Sequence, residues 1–199
     1  MAKIRDYAIT IETVATASSV LEMPDHVTGD LLLICFNKDT SGGLPTTPSG
    51  WSIVGAAFNS TGSGHITYGK RAASAAETVT LSYTLETSVT VVISIKNCFG
   101  STVADAVSNT AQAGADDATL PIDGGTFTPS YNNSLIISHL GADALFGATT
   151  LPGWVHLVNS DDGVDTISVS YTYQKTAASI THPGYWAAAA DDSRWNIIA

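Results

Sequence analysis

The sequence predicts an all-β protein, an antiparallel β-sandwich of jelly-roll-like form built from two sequence repeats. Three observations carry that prediction. Apolar residues alternate with polar ones at period two in short segments, which puts one row of side chains on one face of a strand. The apolar residues are mostly Val, Ile, Ala, Tyr and Trp among many Thr, Ser and Gly, a strand-and-turn vocabulary. Finally, Pro48-Ser49-Gly50-Trp51 returns as Leu151-Pro152-Gly153-Trp154, and Tyr68-Gly69-Lys70 returns as Tyr173-Gln174-Lys175. The two Trp lie 103 positions apart and the two Lys 105, so spacing is nearly held.

The elements follow in order. In residues 7–13, Tyr7, Ile9 and Ile11 share one face of a strand, and a second short run over 19–23 stops at Pro24. Residues 30–37 are apolar on both alternating faces, the mark of a central strand covered on both sides. A Thr/Ser/Gly/Pro loop over 39–50 delivers Trp51, which opens a strand over 51–58, and residues 65–71 form the next. Residues 78–85 alternate with Val79, Leu81, Tyr83 and Leu85 inward, and residues 89–96 with Val89, Val91, Ile93 and Ile95 inward. Residues 100–118, rich in Ser, Ala, Asp and Gly, read as a linker. The second half replays the first with strands over 125–129, 134–140, 154–158, 166–174 and 194–198, and Ile167, Val169, Tyr171 and Tyr173 share a face. Tyr185-Trp186 and the four alanines after them admit either a strand or one helical turn. The expected organisation is one compact unit over 1–199 with pseudo-repeats at about 1–103 and 104–199. The alternative is two tandem sandwiches with a boundary near 100–118.

Composition limits the partners. There are 18 acidic residues against 8 Lys plus Arg, a net charge of −10, and such a surface repels phosphate backbones and anionic lipid headgroups. Nucleic acid and membrane are therefore not expected partners. The first residues lack the apolar core of a signal peptide, so the chain is expected to be soluble and made in the cytoplasm. Cys35 and Cys98 lie in or after strand-like runs with no Cys-x-x-Cys spacing and read as free thiols.

The ordered motifs Gly29-Asp30-Leu31-Leu32, Pro48-Ser49-Gly50-Trp51 and Tyr68-x-Lys70-x-Ala72-Ala73 resemble the β-sandwich modules of bacteriophage structural proteins. Modules of that kind serve as capsid decorations, head fibres and tail-associated receptor-binding proteins. The resemblance implies a non-enzymatic virion component that binds capsid or tail proteins as a symmetric homo-oligomer, with a trimer expected. The alternative is a tail-associated receptor-binding protein or carbohydrate-binding adhesin.

Candidate site residues divide by context. Tyr131, Tyr185 and Trp186 fall in loop-like or divergent segments and are candidate contacts for a partner or a surface glycan. Trp51, Trp154 and Trp195 sit at repeated or strand positions and read as structural anchors. No cofactor is expected. Asp161, Asp162 and Asp165 around Gly163 offer three oxygens toward calcium, short of the full twelve-residue loop. His139 and His156 are placed on strands read as neighbours, where two imidazoles could share a metal. No Gly-x-Ser-x-Gly element is present, and with Glu scarce no catalytic residue is assigned.

Overall fold

The computed structural model describes residues 1–39, 43–54, 58–59, 63–106, 110–115, 126–143, 152–181 and 191–198. In chain order these form β1 (Lys3–Val20), β2 (Leu31–Asp39), β3 (Ser52–Ile53), β4 (Phe58–Asn59), β5 (Ser63–Arg71) and β6 (Thr80–Lys96). After the single helical turn α1 (Val103–Ala106) come β7 (Thr110–Ala115), β8 (Thr126–Phe127), β9 (Ser134–Asp143), β10 (Val155–Asp161), β11 (Thr166–Gln174), β12 (Ile180–Thr181) and β13 (Asp191–Ile198). Every strand pairing among them is antiparallel.

The uninterrupted apolar stretch Leu31 to Phe36 takes the centre of a sheet, as a strand without a polar face must. That sheet runs β1-β6-β2-β5-β3, with β4 also on β5, and a second sheet runs β10-β11-β9-β13-β7. Read from β7, the second sheet has the order of the first: β7 stands where β1 does, then β13 for β6, β9 for β2, β11 for β5 and β10 for β3. A short β8–β12 pair stands apart. The strand β7 falls inside the stretch read as a linker. Its sequence, Thr-Ala-Gln-Ala-Gly-Ala, alternates nothing larger than alanine, and its place comes from pairing with β13 at the sheet edge.

The inner faces of the two sheets share one core. Leu31, Leu33 and Cys35 of β2 and Val89, Val91 and Ile93 of β6 meet Leu135 and Ile137 of β9 and Ile167 and Val169 of β11. A second core covers the other face of the first sheet, where Leu32, Ile34, Phe36, Ile66 and Tyr68 pack with Trp51, Val79, Leu81 and Tyr83. Val79, Leu81 and Tyr83 share the odd numbering of Val89 and Val91 yet lie in the other core. The β1–β6 ribbon carries register shifts between Glu12 and Ser18, and such irregularities re-aim side chains. Past them, Tyr83 reaches Phe36 at a centroid distance of 5.2 Å, while Leu85 is left exposed rather than inward.

The repeated motifs do not all occupy equivalent places. Gly50 and Gly153 both take φ 80, so the Pro/Gly turn before each Trp has the same left-handed step. Trp51 is buried in the second core as an anchor, whereas Trp154 is only half-buried. Tyr68 pairs with Ile34 on the outer side of its sheet and donates a 2.6 Å hydrogen bond to Pro45 O. Tyr173 pairs with Leu135, whose side chain belongs to the inner core. The two Tyr-x-Lys motifs therefore point to opposite faces, because a strand inverts its side chains with a shift of one residue. Lys70 ion-pairs with Glu77 at 2.6 Å, and Lys175 lies past the end of β11 in an exposed bend.

Candidate functional site

Along β2 and β9 the space between the sheets changes character. Toward one end, Leu31 and Leu33 face Leu135 and Ile137, and here the sheets leave a cavity of about 650 Å³ that opens to solvent. This is within the roughly 300–1,000 Å³ of ordinary ligand pockets. Ile95 completes an apolar floor, and the mouth carries Phe99, Tyr131, Asn97, Asn132 and Asn133. Phe99 is 75% exposed and Tyr131 59%, with ring centroids 6.3 Å apart and planes at 42°. One ring follows the last strand of the first sheet and the other precedes β9 of the second.

Both lips are tied down by hydrogen bonds. The Arg71 guanidinium donates to the carbonyls of Gly29, Phe99, Gly100 and Thr102, which fixes the loop that carries Phe99. From the helical turn α1 that follows, Asp105 accepts from the backbone N–H groups of Ser101 and Thr102 on that loop, at 3.2 and 3.0 Å. Hydrogen bonds from Thr102 and Ser101 hold its carboxyl below the usual range, so it is an ionised staple. On the other lip, Ser134 Oγ donates to Tyr131 O at 2.8 Å, and Asn132 Oδ1 accepts from Ala177 N at 2.7 Å. Asn97 and Asn133 both hold φ 60, a left-handed step that asparagine tolerates better than most residues. Asp105 is the one charged side chain lining the cavity among the described residues. The Cys98 thiol, also in the lining, is pushed up to about 11, chiefly by burial, and is not a thiolate at neutral pH.

Toward the other end the same space is filled with polar groups. His65 of β5 and His139 of β9 stack across the sheets at 3.9 Å between centroids and 28° between planes. Asn37 Nδ2 donates at 3.3–3.4 Å to Ala142 O, Asp165 Oδ1 and Thr166 O, and Thr67 Oγ1 lies 3.1 Å from His139 Nδ1. Burial first, and the neighbouring His65 second, hold the His139 imidazole well below its ordinary range, so it is neutral at pH 7. Gly141 makes the close approach workable, since a Cβ there would fall on Asn37 Oδ1 and 2.6 Å from His65 Nδ1.

Several expectations change here. His139 and His156 are not neighbours: β11 lies between their strands, and His156 pairs with Ser170 on the opposite face from His139. The partner of His139 is His65, from the other sheet. The carboxylates near Gly163 do not converge on a metal. Asp162 Oδ1 accepts from Val164 N and Asp165 N at 2.9 and 2.8 Å to close the β10–β11 turn, while Asp165 turns to Asn37. No group of three or more His, Cys, Asp or Glu that could hold a metal ion occurs among the described residues. Cys35 and Cys98 are free, and burial pushes the Cys35 thiol up as well. Of the candidate contacts, Tyr131 stands on the pocket lip; Tyr185 and Trp186 lie outside the described residues. Trp195 is in β13, for which the backbone pairing alone is described. Phe99 was missing from the sequence candidates. Its signal is a lone aromatic between the end of an alternating strand and a glycine, where no inward row claims it.

No family model matches the chain, no curated protein matches it, and no solved structure matches it.

Proposed function

We propose that this chain is a non-enzymatic β-sandwich attachment module that holds a neutral sugar at the mouth of the cavity between its sheets. The observation that carries the reading is the exposed Phe99–Tyr131 pair over a preformed cavity. Aromatic faces take the C–H side of a pyranose ring, and the amides of Asn97, Asn132 and Asn133 supply donors and acceptors for its hydroxyls. Lips already fixed by Arg71, Asp105 and Ser134 lose little freedom on binding, which favours affinity. The test is a glycan array followed by saturation-transfer NMR. Neutral glycans are expected to bind, with the signal lost in Tyr131→Ala and in Phe99→Ala. Retained binding in both variants removes the reading.

A second reading, a shell-bound homo-oligomer on a bacteriophage particle, has its own observation. Tyr7 and Ile11 of the edge strand β1 are exposed although they pair with the buried Ile93 and Val89. Apolar residues on an open sheet edge suit a protein contact. Light scattering above the monomer's 20.6 kDa, together with co-sedimentation with capsids, supports that reading; a monomer that stays in the supernatant removes it.

A further inference from the structure

Resting on the sugar reading above, we propose that the sugar taken by this pocket carries an apolar substituent, an alkyl or acyl chain, which enters between the sheets while the sugar stays at the lip. The cavity is divided by chemistry along its depth. Its floor is made of Leu31, Leu33, Ile95, Leu135 and Ile137, side chains with no hydrogen-bonding atom. A sugar pushed onto that floor strips water from its hydroxyls and finds no partner for them, a net cost. An apolar group placed there removes hydrocarbon surface from water on both sides, a gain. Hydrogen-bonding groups cluster instead at the mouth, beside Phe99 and Tyr131. The volume, about 650 Å³, exceeds what one pyranose ring needs and leaves room for a chain below it.

The charged side chains at the wall favour neutral amphiphiles over anionic ones. The one charged side chain lining the cavity among the described residues is the carboxylate of Asp105. The nearest guanidinium, Arg71, spends its donors on four backbone carbonyls. An anionic headgroup therefore meets one fixed negative side chain and no cationic side chain in the lining; the positive group at the wall is the Met1 amino group, whose charge reaches Cys98.

The experiment uses the whole chain and titrates methyl, butyl, hexyl and octyl β-D-glucosides by ligand-observed NMR, each below its micelle-forming concentration, with 1-hexanol as a sugar-free control. Affinity is expected to rise roughly fourfold per methylene until the floor is filled. Tyr131→Ala should weaken every glucoside, and Ala2→Phe, at the cavity wall, should flatten the chain-length series without abolishing methyl glucoside binding. The series on the unaltered protein decides the matter even if Ala2→Phe fails to fold. Equal affinity for methyl and octyl glucoside overturns the apolar-substituent inference and leaves the sugar reading standing. Hexanol bound as tightly as hexyl glucoside, with no effect of Tyr131→Ala, overturns the sugar reading and this inference with it. Absence of binding by any probe overturns both.

Discussion

The two ends of the space between the sheets are made by the same strands and differ in three or four residues. On β2 the inward positions read Leu31, Leu33, Cys35, Asn37, and on β9 they read Leu135, Ile137, His139, Gly141. Where both strands offer hydrocarbon alone, at Leu31 and Leu135, the end stands open and apolar beneath two exposed rings. Where they offer Asn37 and His139, the end is closed by stacked imidazoles and cross-sheet hydrogen bonds. The difference teaches that two strands facing each other across a core can close one end of it and leave the other for a ligand, through a few side-chain choices.

The largest effect that would break this contrast is expected at Gly141. Gly141→Ala drives a methyl into Asn37 and His65 and should cost about 1–3 kcal/mol, as overpacking does. Urea unfolding measures it, and an unchanged midpoint means the closed end is looser than described. Acid comes next. Because burial lowers the folded pKa of His139, the unfolded chain takes the proton first. Stability is thus full above about pH 6.5 and falls below it by roughly 1.4 kcal/mol per pH unit for that one group, until the folded pKa is reached. His65 in the stack opposes the proton, and Asp165, on the other side of Asn37, is the carboxylate of the cluster. His139→Gln should flatten the slope between pH 6.5 and 5; a slope that persists assigns it elsewhere. At the open end the effects on stability shrink. Arg71→Ala removes exposed hydrogen bonds to four carbonyls and should cost about 1 kcal/mol while loosening the Phe99 lip, visible as faster amide exchange at residues 99–102. Phe99→Ala and Tyr131→Ala should move stability by less than about 0.5 kcal/mol. A large loss in either would make the rings part of the scaffold rather than a surface for a ligand.

Much of this was legible in the residues. The central strand β2 could be read because its apolar stretch leaves no polar face, and β11 because Ile167, Val169, Tyr171 and Tyr173 keep one parity throughout. Tyr131 could be picked out as an aromatic in a loop. What escaped had physical reasons. The change of side between Tyr83 and Val89 follows from irregular pairing in the β1–β6 ribbon, and a bulge leaves no reliable trace in an alternation pattern. The strand β7 escaped because small residues take an edge position without announcing it. The His65–His139 stack joins residues far apart in sequence, which only the packing of two sheets brings together. The mismatch of the Tyr-x-Lys motifs escaped because matching letters say nothing about which face each presents.

The second core has a consequence for the order in which the molecule is made. Residues Leu21 to Val92 already contain an apolar cluster that, among the described residues, takes no member from the second sheet. A chain leaving the ribosome can therefore collapse its first sheet around Trp51, Phe36 and Tyr68 before β9 and β11 are synthesised. The inner face waits as an apolar template until its counterpart arrives. Synthesis stalled in that interval exposes Leu33, Val91 and Ile93 to other nascent chains, and chaperone demand should peak there.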